Sequence, residues 1–344
     1  MQNRVELHLH MDGSLSEKTI NTLAKRNYDV LTDGEKTLFE NGELYRSISV
    51  SECNSLAEYL KKFDLPCRLL QRPTDVAIAF ENLTVELAEQ GVMYAEIRFA
   101  PQLHSTNIPL DDKLAHEFEV VKHAISGVNK GMKGRKIIVN IILCCMRNLP
   151  DSDSGWHANI RNIYLAEQFL NKGVCAVDLA GAEARDATAE FEVLFKAAKE
   201  RNIPFTIHAG EAGSPEWLKA SIESAIAFGA KRIGHGVGLK YYPELQEIVK
   251  EKNITVECCL KSNIDTNAIS RLEEHPIKML FEQGVHVTLN TDNMTVSDTT
   301  LTREYELAKS IGFTEADIKK MQDYAFEGAF MTKAQRRQIE IWKK

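Results

Sequence analysis

The chain has 344 residues, of which 44% are hydrophobic and 26% are charged, a composition typical of a globular protein. Its formal net charge is −7 and no concentrated basic stripe occurs, which argues against nucleic acid or an anionic membrane surface as a partner. No run approaches the roughly 18 apolar residues of a membrane span, and the polar N-terminus does not resemble a signal peptide. The seven cysteines, with two adjacent pairs, predict reduced thiols and a cytoplasmic location.

The first predicted element is a strand that begins at Val5. Apolar residues alternate with His8 and His10 in this strand, so both imidazoles emerge on one face. Two imidazoles in this arrangement can bind one metal ion. Asp12 follows where the chain leaves the strand, and Gly13 permits a sharp turn there. An isolated His-x-His pair also suits a solvent-facing stripe on an edge strand, and the later segments decide between the two interpretations.

The stretch from residue 16 to residue 71 has helical character. In its clearest part, four apolar residues recur at i, i+3, i+4 and i+7 and form one helix face, namely Leu56, Tyr59, Leu60 and Phe63. This face suits core packing. Because the segment is inserted between the first strand and the rest of the chain, the same face also suits an apolar gate beside a site.

From residue 74 onwards, helical and strand patterns alternate. The predicted helices cover residues 74–90, 111–130, 155–171, 186–201, 215–228, 243–252 and 276–283. The predicted strands follow them at residues 92–99, 136–143, 174–181, 204–208, 232–236, 255–259 and 285–292. Eight apolar strands separated by helices predict an α/β fold, a (β/α)8 TIM barrel with extra helices inserted after strand 1 and at the C-terminus, around 302–311 and 314–330. No linker interrupts the pattern, so residues 1–344 are predicted to form a single domain.

Polar residues stand at the carboxyl ends of several predicted strands. Asp178 ends strand four, His208 and Glu211 follow strand five, His235 ends strand six and Asp292 ends strand eight. Because the carboxyl ends of barrel strands surround one mouth, we expect these side chains to meet the two histidines of strand one there. Their chemistry predicts a metal-ligand set with an acid/base pair beside it.

The order of these motifs resembles that of the adenosine deaminase family, a group of metal-dependent amidohydrolases. The resemblance extends from residue 4 to about residue 330. It rests on His8–Ser14, Asp178–Gly181, His208–Glu211, Gly234–Gly236, Ser262–Asn263 and Asn290–Asp292.

The resemblance implies one Zn²⁺ ion per chain, with His8, His10, His208 and Asp292 as its ligands. It assigns Glu211, one helical turn after His208, to the purine N1, and His235 to a position beside the attacking water. Zinc lowers the pKa of a bound water to about 7. Asp292 and His235 are then expected to orient this water and accept its proton, while a protonated Glu211 supplies the acid at N1.

The substrate contacts are also implied by the resemblance. Asp12 would bind the ribose 5′-hydroxyl, the Gly181 N–H would donate to the purine N3, and His10 would border the substrate. Asn293 stands where the family commonly has an aspartate that touches N7. Since N7 accepts a hydrogen bond, the asparagine amide, which donates at every pH, is compatible with this contact. The apolar face around Leu56 resembles the gate of the family.

The predicted function is therefore zinc-dependent hydrolytic deamination of adenosine and 2′-deoxyadenosine to inosine, 2′-deoxyinosine and ammonia, in purine salvage. The expected partner is a small purine nucleoside, and the oligomeric state stays open. The first alternative is a deaminase of adenine or of a modified adenine nucleoside or nucleotide such as N6-methyl-AMP. A different amidohydrolase acting on esters or lactams, and a purine-binding protein without turnover, are the remaining alternatives.

Overall fold

A computed structural model of the chain describes residues 4–49, 55–147 and 155–343. In these residues, eight parallel strands form two four-stranded sheets, each with its strands in chain order. The first sheet contains β1 (Arg4–His10), β2 (Val92–Phe99), β3 (Ile138–Met146) and β4 (Val174–Ala180). The second sheet contains β5 (Thr206–Ala209), β6 (Arg232–His235), β7 (Thr255–Cys258) and β8 (Val287–Leu289).

Backbone hydrogen bonds at two seams join these sheets into a closed barrel. At one seam the Val177 N–H donates to the Pro204 carbonyl at 3.0 Å. At the other, the His10 N–H donates to the Asp292 carbonyl at 2.7 Å and the Asp292 N–H donates to the His8 carbonyl at 2.8 Å. Eight parallel strands closed in this way, with helices between them, confirm the predicted (β/α)8 barrel.

Helices surround the barrel where the sequence predicts them. The insertion after β1 contains α1 (Glu17–Arg26), α2 (Asp33–Glu40), α3 (Leu56–Leu60) and α4 (Asp64–Leu69). The helices between later strands are α5 (Pro73–Glu89), α6 (Lys113–Met132), α7 (Gly155–Phe169), α8 (Glu192–Glu200), α9 (Pro215–Phe228), α10 (Pro243–Glu251), α11 (Leu260–Asp265) and α12 (Ile277–Glu282). The C-terminal helices are α13 (Leu301–Ser310), α14 (Glu315–Gly328) and α15 (Lys333–Trp342). Both predicted helical additions are therefore confirmed.

Helix α9 illustrates how local sequence sets the helix boundaries. The Ser214 side chain accepts the Trp217 N–H and caps the first turn, and Pro215 occupies the first helical position, where no N–H is needed. Gly229 ends the helix in the left-handed conformation, with φ of 92°. The residues that face the barrel from this helix are buried, so the cap and the apolar face together fix its position.

Strand β8 is shorter than predicted, because side chains replace part of its backbone ladder. The prediction covered 285–292, whereas the strand covers Val287–Leu289. Beyond Leu289, the Asn290 Oδ1 accepts the Leu7 N–H at 3.1 Å, and the Glu6 carboxylate accepts the Thr291 N–H at 3.1 Å. The chain therefore stays bound to β1 while its backbone turns away from strand geometry before Asp292.

Two predicted helices are also divided. The prediction for 186–201 corresponds to a 3₁₀ turn, Thr188–Phe191, followed by α8. The apolar segment around Leu60 is α3 followed by a 3₁₀ turn, Lys61–Phe63. Among the described helices, none combines the length and hydrophobicity that a membrane span requires.

Candidate active site

A cavity of about 350 Å³ opens at the carboxyl ends of the barrel strands. This volume lies within the range of small-molecule sites. The cavity wall includes the predicted site residues His10, Asp12, Leu56, Tyr59, Leu60, Phe63, Gly181, His208, Glu211, His235, Asp292 and Asn293. His8, the remaining predicted site residue, is fully buried behind this wall.

Three imidazoles and one carboxylate converge at the base of the cavity. One ligand atom from each of His8, His10, His208 and Asp292 lies within 4.8 Å of the others. The His10 Nε2 is 3.3 Å from the His208 Nε2 and 3.4 Å from the Asp292 Oδ1, and the His8 Nε2 is 3.5 Å from the same oxygen. A set of three nitrogen donors and one oxygen donor at this spacing can hold one metal ion.

The residues of this four-donor group fit a metal ion on three further observations. The buried Nε2 of His8 has no hydrogen-bond partner among the described residues. Burial lowers the pKa of His10 and of His208, so both are in the neutral form that binds metal. Gly234 leaves space for the rings, because a Cβ at this position would lie 2.9 Å from the His8 Cε1.

Buried carboxylates orient two of these imidazoles from behind. The His8 Nδ1 is 2.7 Å from Glu257 and the His208 Nδ1 is 2.9 Å from Asp178. Arg98 donates to both carboxylates, at 2.9 and 2.8 Å. Burial would raise the pKa of Glu257, but the charges of Arg98 and Arg232 hold it well below its ordinary value. The hydrogen bond to Glu257 fixes the orientation of the His8 ring, the Asp178 carboxylate attracts the His208 ring, and the Nε2 of each ring is left for a metal.

Sequence reasoning assigned no role to Glu257 and Arg98. Both are charged residues inside strands whose other residues are mostly apolar, and both are fully buried. A charged residue in a buried strand is a signal that a partner exists. However, the partners of Glu257 lie far away in sequence, and only the barrel brings them together.

Glu211 lies in the bend after β5, not one helical turn after His208 as the sequence interpretation had it, because His208 belongs to the strand itself. The Glu183 carboxylate holds this bend by accepting the backbone N–H groups of Gly210, Glu211 and Ala212 at 2.6, 2.7 and 2.9 Å. The Thr266 hydroxyl donates to the Glu211 Oε1 at 3.1 Å. Burial, together with the charges of Asp292 and Glu183, raises the pKa of Glu211 to about 8. Glu211 therefore keeps a proton at neutral pH.

His235 and Asp292 enter the cavity from an unusual backbone conformation. Their φ angles are +64° and +59°, a region that residues other than glycine rarely adopt. The His235 Nε2 is 3.7 Å from the Glu211 carboxylate, and the Ser262 hydroxyl donates to the Asp292 Oδ2 at 2.5 Å. Backbone strain of this kind is characteristic of functional sites, where it directs side chains that a regular strand would aim elsewhere.

The residues expected to contact substrate border the same cavity. Burial raises the pKa of Asp12 to about 6, and the Cys67 thiol lies 3.9 Å from its Oδ2. Asn293 packs directly on Gly13, where a Cβ would lie 1.9 Å from the Asn293 Oδ1. Gly181 has a φ of +101° just after β4. The three polar or backbone groups of these residues thus surround a single space.

The four apolar residues of the predicted gate, Leu56, Tyr59, Leu60 and Phe63, form one wall of the cavity. Tyr59 is buried, and its hydroxyl is 2.8 Å from the Ser297 Oγ, which ties this wall to the segment after β8. Whether the wall opens is a dynamic property, so its action as a gate stays a prediction.

A second group of possible ligands adjoins the first. It consists of His235, Cys259 and Asp292, and it includes a cysteine that the sequence analysis interpreted as a core thiol. Burial raises the pKa of the Cys259 thiol well above its ordinary value. A thiol that keeps its proton is a weak metal ligand, so the four-donor group is the better site.

Comparison with known proteins agrees with this geometry. The family model for adenosine deaminase matches residues 3–341. The chain is 39% identical over 333 residues to an adenosine deaminase of Haemophilus ducreyi, covering 95% of this chain and 92% of that protein. It is 36% identical over 345 residues to one of Clostridium perfringens, covering 98% and 97%.

A solved structure, that of the Arabidopsis N6-mAMP deaminase, is similar with a TM-score of 0.82 at 25% identity, covering 99% of this chain and 97% of that one. The resemblance inferred from the motifs is thereby confirmed. The chain belongs to the adenosine deaminase family and is a hydrolytic deaminase of adenosine-type substrates.

Proposed function

We propose that this chain, as a single domain of residues 1–344, is a cytoplasmic purine-salvage enzyme that deaminates adenosine and 2′-deoxyadenosine with one bound Zn²⁺. The observation that carries the proposal is a protonated carboxyl group, Glu211, facing the same cavity as the four-donor group. A site with both features can supply a nucleophile and an acid to the two adjacent atoms, C6 and N1, of one purine ring.

The metal proposal rests on the donor set. Three imidazoles and one carboxylate suit Zn²⁺, which prefers nitrogen and oxygen donors in tetrahedral geometry. When bound, zinc would supply a water activated at neutral pH. His8, His10, His208 and Asp292 would hold the ion, and the buried carboxylates behind two of the rings would keep their Nε2 atoms directed at it.

Glu211 would donate its proton to the purine N1. Addition of oxygen at C6 places negative charge on the ring, and protonation at N1 neutralises it, so an acid there lowers the barrier. The Thr266 hydroxyl and the Glu183-bound bend fix the carboxyl group in place. His235, whose Nε2 is 3.7 Å from the Glu211 carboxylate, would stand beside the attacking water. Ammonia then leaves C6, and the 6-oxo purine results.

Electrostatics favour a nucleoside over a nucleotide. Apart from Glu211, which keeps its proton, the described residues of the cavity wall include the acids Asp12, Asp64 and Asp292. Arg147 is the cation in this part of the wall, and its guanidinium already donates to the Asp186 carbonyl, the Thr188 hydroxyl and the His208 carbonyl. A phosphate beside an ionised Asp12 would be repelled, whereas a 5′-hydroxyl would donate a hydrogen bond to it.

Gly181 and Asn293 would contact the purine edge. The left-handed backbone of Gly181 after β4 suits an N–H directed at N3, and Asn293, held against Gly13, would donate to N7. The N7 contact can be tested with 7-deaza-adenosine, which lacks this acceptor. We expect its turnover to fall about tenfold, the value of one hydrogen bond. Equal rates for the two nucleosides would exclude the contact.

The second candidate is a deaminase of N6-methyl-AMP or another modified adenine compound. It is favoured by the similarity of the fold to the Arabidopsis N6-mAMP deaminase. The acidic side chain of Asp12 at the cavity wall argues against a phosphate in this chain.

A substrate panel tests both candidates. Purified zinc-loaded protein is assayed for ammonia release from adenosine, 2′-deoxyadenosine, adenine and AMP, and for methylamine release from N6-methyl-AMP. We expect the two nucleosides to be the best substrates. Glu211→Gln, which keeps the shape of the side chain but removes its acid, is the control and should lower turnover with every substrate. A nucleotide as the best substrate would replace the first candidate by the second.

A further inference from the structure

A chain of hydrogen bonds leads from the backbone of α12 to His235. The Ile277 N–H donates to the His275 Nδ1 at 3.1 Å. The His275 Nε2 is 3.1 Å from the Asn263 Oδ1, and the Asn263 Nδ2 is 3.0 Å from the His235 Nδ1. All three side chains are buried, with exposures of 4%, 0% and 2% in the order His275, Asn263, His235. This series of hydrogen bonds begins at the Ile277 N–H, which can only donate, and ends at His235 in the cavity wall.

The backbone amide determines the direction of every bond in this chain. An amide N–H can only donate, so the Nδ1 of His275 carries a lone pair. Burial lowers the pKa of His275 to about 3, so its ring is neutral and its one proton is on Nε2. The Asn263 Oδ1 accepts a hydrogen bond from this N–H, so the NH₂ group of the same amide points towards His235. The Nδ1 of His235 therefore accepts a hydrogen bond.

A neutral imidazole has one proton, and the Nδ1 of His235 cannot hold it while Asn263 donates there. We infer that His275, acting through Asn263, fixes the proton of His235 on Nε2, the nitrogen that lies 3.7 Å from the Glu211 carboxylate. His275 is a positioning residue in this scheme, since it lies behind His235 and outside the cavity wall.

The consequence for catalysis rests on the proposed function. With its proton on Nε2, His235 presents an N–H to the reacting atoms and acts as a hydrogen-bond donor to the oxygen that adds at C6. It has no free lone pair at Nε2, so the proton of the attacking water goes to the Asp292 carboxylate, which borders the same cavity. This differs from the expectation drawn from the family resemblance, in which His235 shares the acceptor role. A donor aimed at developing negative charge on oxygen stabilises the transition state.

Two variants of His275 with similar side-chain volume distinguish the effect of its hydrogen-bond donor from the effect of its packing. His275→Gln keeps an N–H that can reach Asn263, whereas His275→Leu removes it and leaves the Asn263 amide free to turn over. The readout is the ¹⁵N NMR spectrum of protein labelled at histidine and loaded with zinc, in which protonated and unprotonated ring nitrogens resonate far apart. His235→Gln assigns the signals of His235.

We expect Nε2 of His235 to be protonated in the wild type and in His275→Gln, and this signature to be lost in His275→Leu. Loss of the hydrogen bond from His275 to Asn263 should lower kcat for adenosine roughly 10- to 100-fold in His275→Leu, with KM little changed. His275→Gln should restore most of the rate. A wild-type spectrum with the proton on Nδ1, or an unchanged His235 signature in His275→Leu, would overturn the inference.

Asn263→Asp provides a second test if His275→Leu does not fold. A carboxylate only accepts, so the Nδ1 of His235 should become protonated in this variant. If Nδ1 stays unprotonated, the inference is wrong. The NMR signature requires no turnover, so the tautomer can be established even if adenosine proves not to be the substrate.

Discussion

The two halves of the barrel differ in the length of their strands. Strands β1 to β4 have seven to nine residues, whereas β5 to β8 have three or four. The first half contributes His8 and His10 from β1 itself. The second half contributes His208 near the end of β5, His235 at the end of β6 and Asp292 beyond β8.

This difference shows how one barrel combines a frame with a site. In the first half, long ladders hold the side chains in place. In the second half, the chain leaves the ladder early, and positive φ angles at His235 and Asp292 redirect side chains into the cavity. Strain there is tolerated because buried hydrogen bonds, such as that from Ser262 to Asp292, hold the conformation. The ends of the short strands thus supply most of the reactive groups.

The largest expected effect comes from removing a metal ligand of either half. We expect His8→Gln and His208→Gln each to lose stoichiometric zinc and to lower kcat/KM for adenosine at least about a thousandfold, since several kcal/mol of stabilisation are lost. Metal analysis of the purified variants together with the ammonia assay measures both effects. If one variant kept both its zinc and its activity, the two halves would not share one ion.

The next effect concerns pH and belongs to the second half alone. Below its folded pKa of about 8, Glu211 holds the proton that the reaction needs, and it loses this proton as the pH rises. The kcat/KM for adenosine should therefore fall with rising pH, with a midpoint at or below about 8, because a bound cation lowers the pKa of a nearby acid.

A pH profile of kcat/KM on the zinc-loaded enzyme measures this midpoint. Glu211→Gln should lower kcat by about 10²- to 10⁴-fold, the usual contribution of a general acid, and its residual activity should not show the same basic limb. A wild-type rate that rises through this range would show that Glu211 acts as a base.

A smaller loss of activity is expected from Glu257→Gln, which weakens one of the contacts between the halves. Glu257 belongs to β7 and binds His8 of β1 and Arg98 of β2. Without its charge, Arg98 is buried with less compensation, and we expect the free energy of unfolding to fall by about 3–5 kcal/mol. Zinc affinity or activity should fall roughly 10- to 100-fold, as is usual when a residue that orients a metal ligand is replaced.

Urea denaturation and zinc titration measure these two effects. The control is Glu251→Gln at the end of α10, where the carboxylate is exposed, and its change in stability should stay within about 0.5 kcal/mol. If the two variants were equally stable, the buried network would contribute nothing to the fold.

The two halves also differ in how far the sequence predicts them. The predicted strand 92–99 coincides with β2, because a long run of mostly apolar residues identifies a buried strand. The prediction for β8 was five residues too long, because the Asn290 and Glu6 side chains substitute for its ladder and leave the apolar pattern unchanged. Periodicity does not detect such a substitution.

For the site, the convergence of His8, His208 and Asp292 followed from the rule that barrel strands end at one mouth. The supporting contacts did not. Glu257 is 249 positions from His8, and Glu183 is 28 positions from Glu211, whose loop it holds. These contacts depend on the register of neighbouring strands and on loop conformation, which a single sequence does not specify.

The smallest effect tests the seam where the first and last strands meet. Tyr59, in the insertion after β1, is bound to Ser297, beyond β8, at 2.8 Å. We expect Tyr59→Phe and Ser297→Ala each to lower the free energy of unfolding by about 1 kcal/mol, and the double variant to lose less than the sum, because both remove one shared hydrogen bond. Urea denaturation of the four proteins gives this coupling energy.

The KM for adenosine, measured on the same four proteins, distinguishes a structural wall from a gate. If Leu56 and its neighbours only complete the core, KM stays constant as the bond is lost; if they close over substrate, the variants change KM and kcat together, since the bond then stabilises the closed conformation.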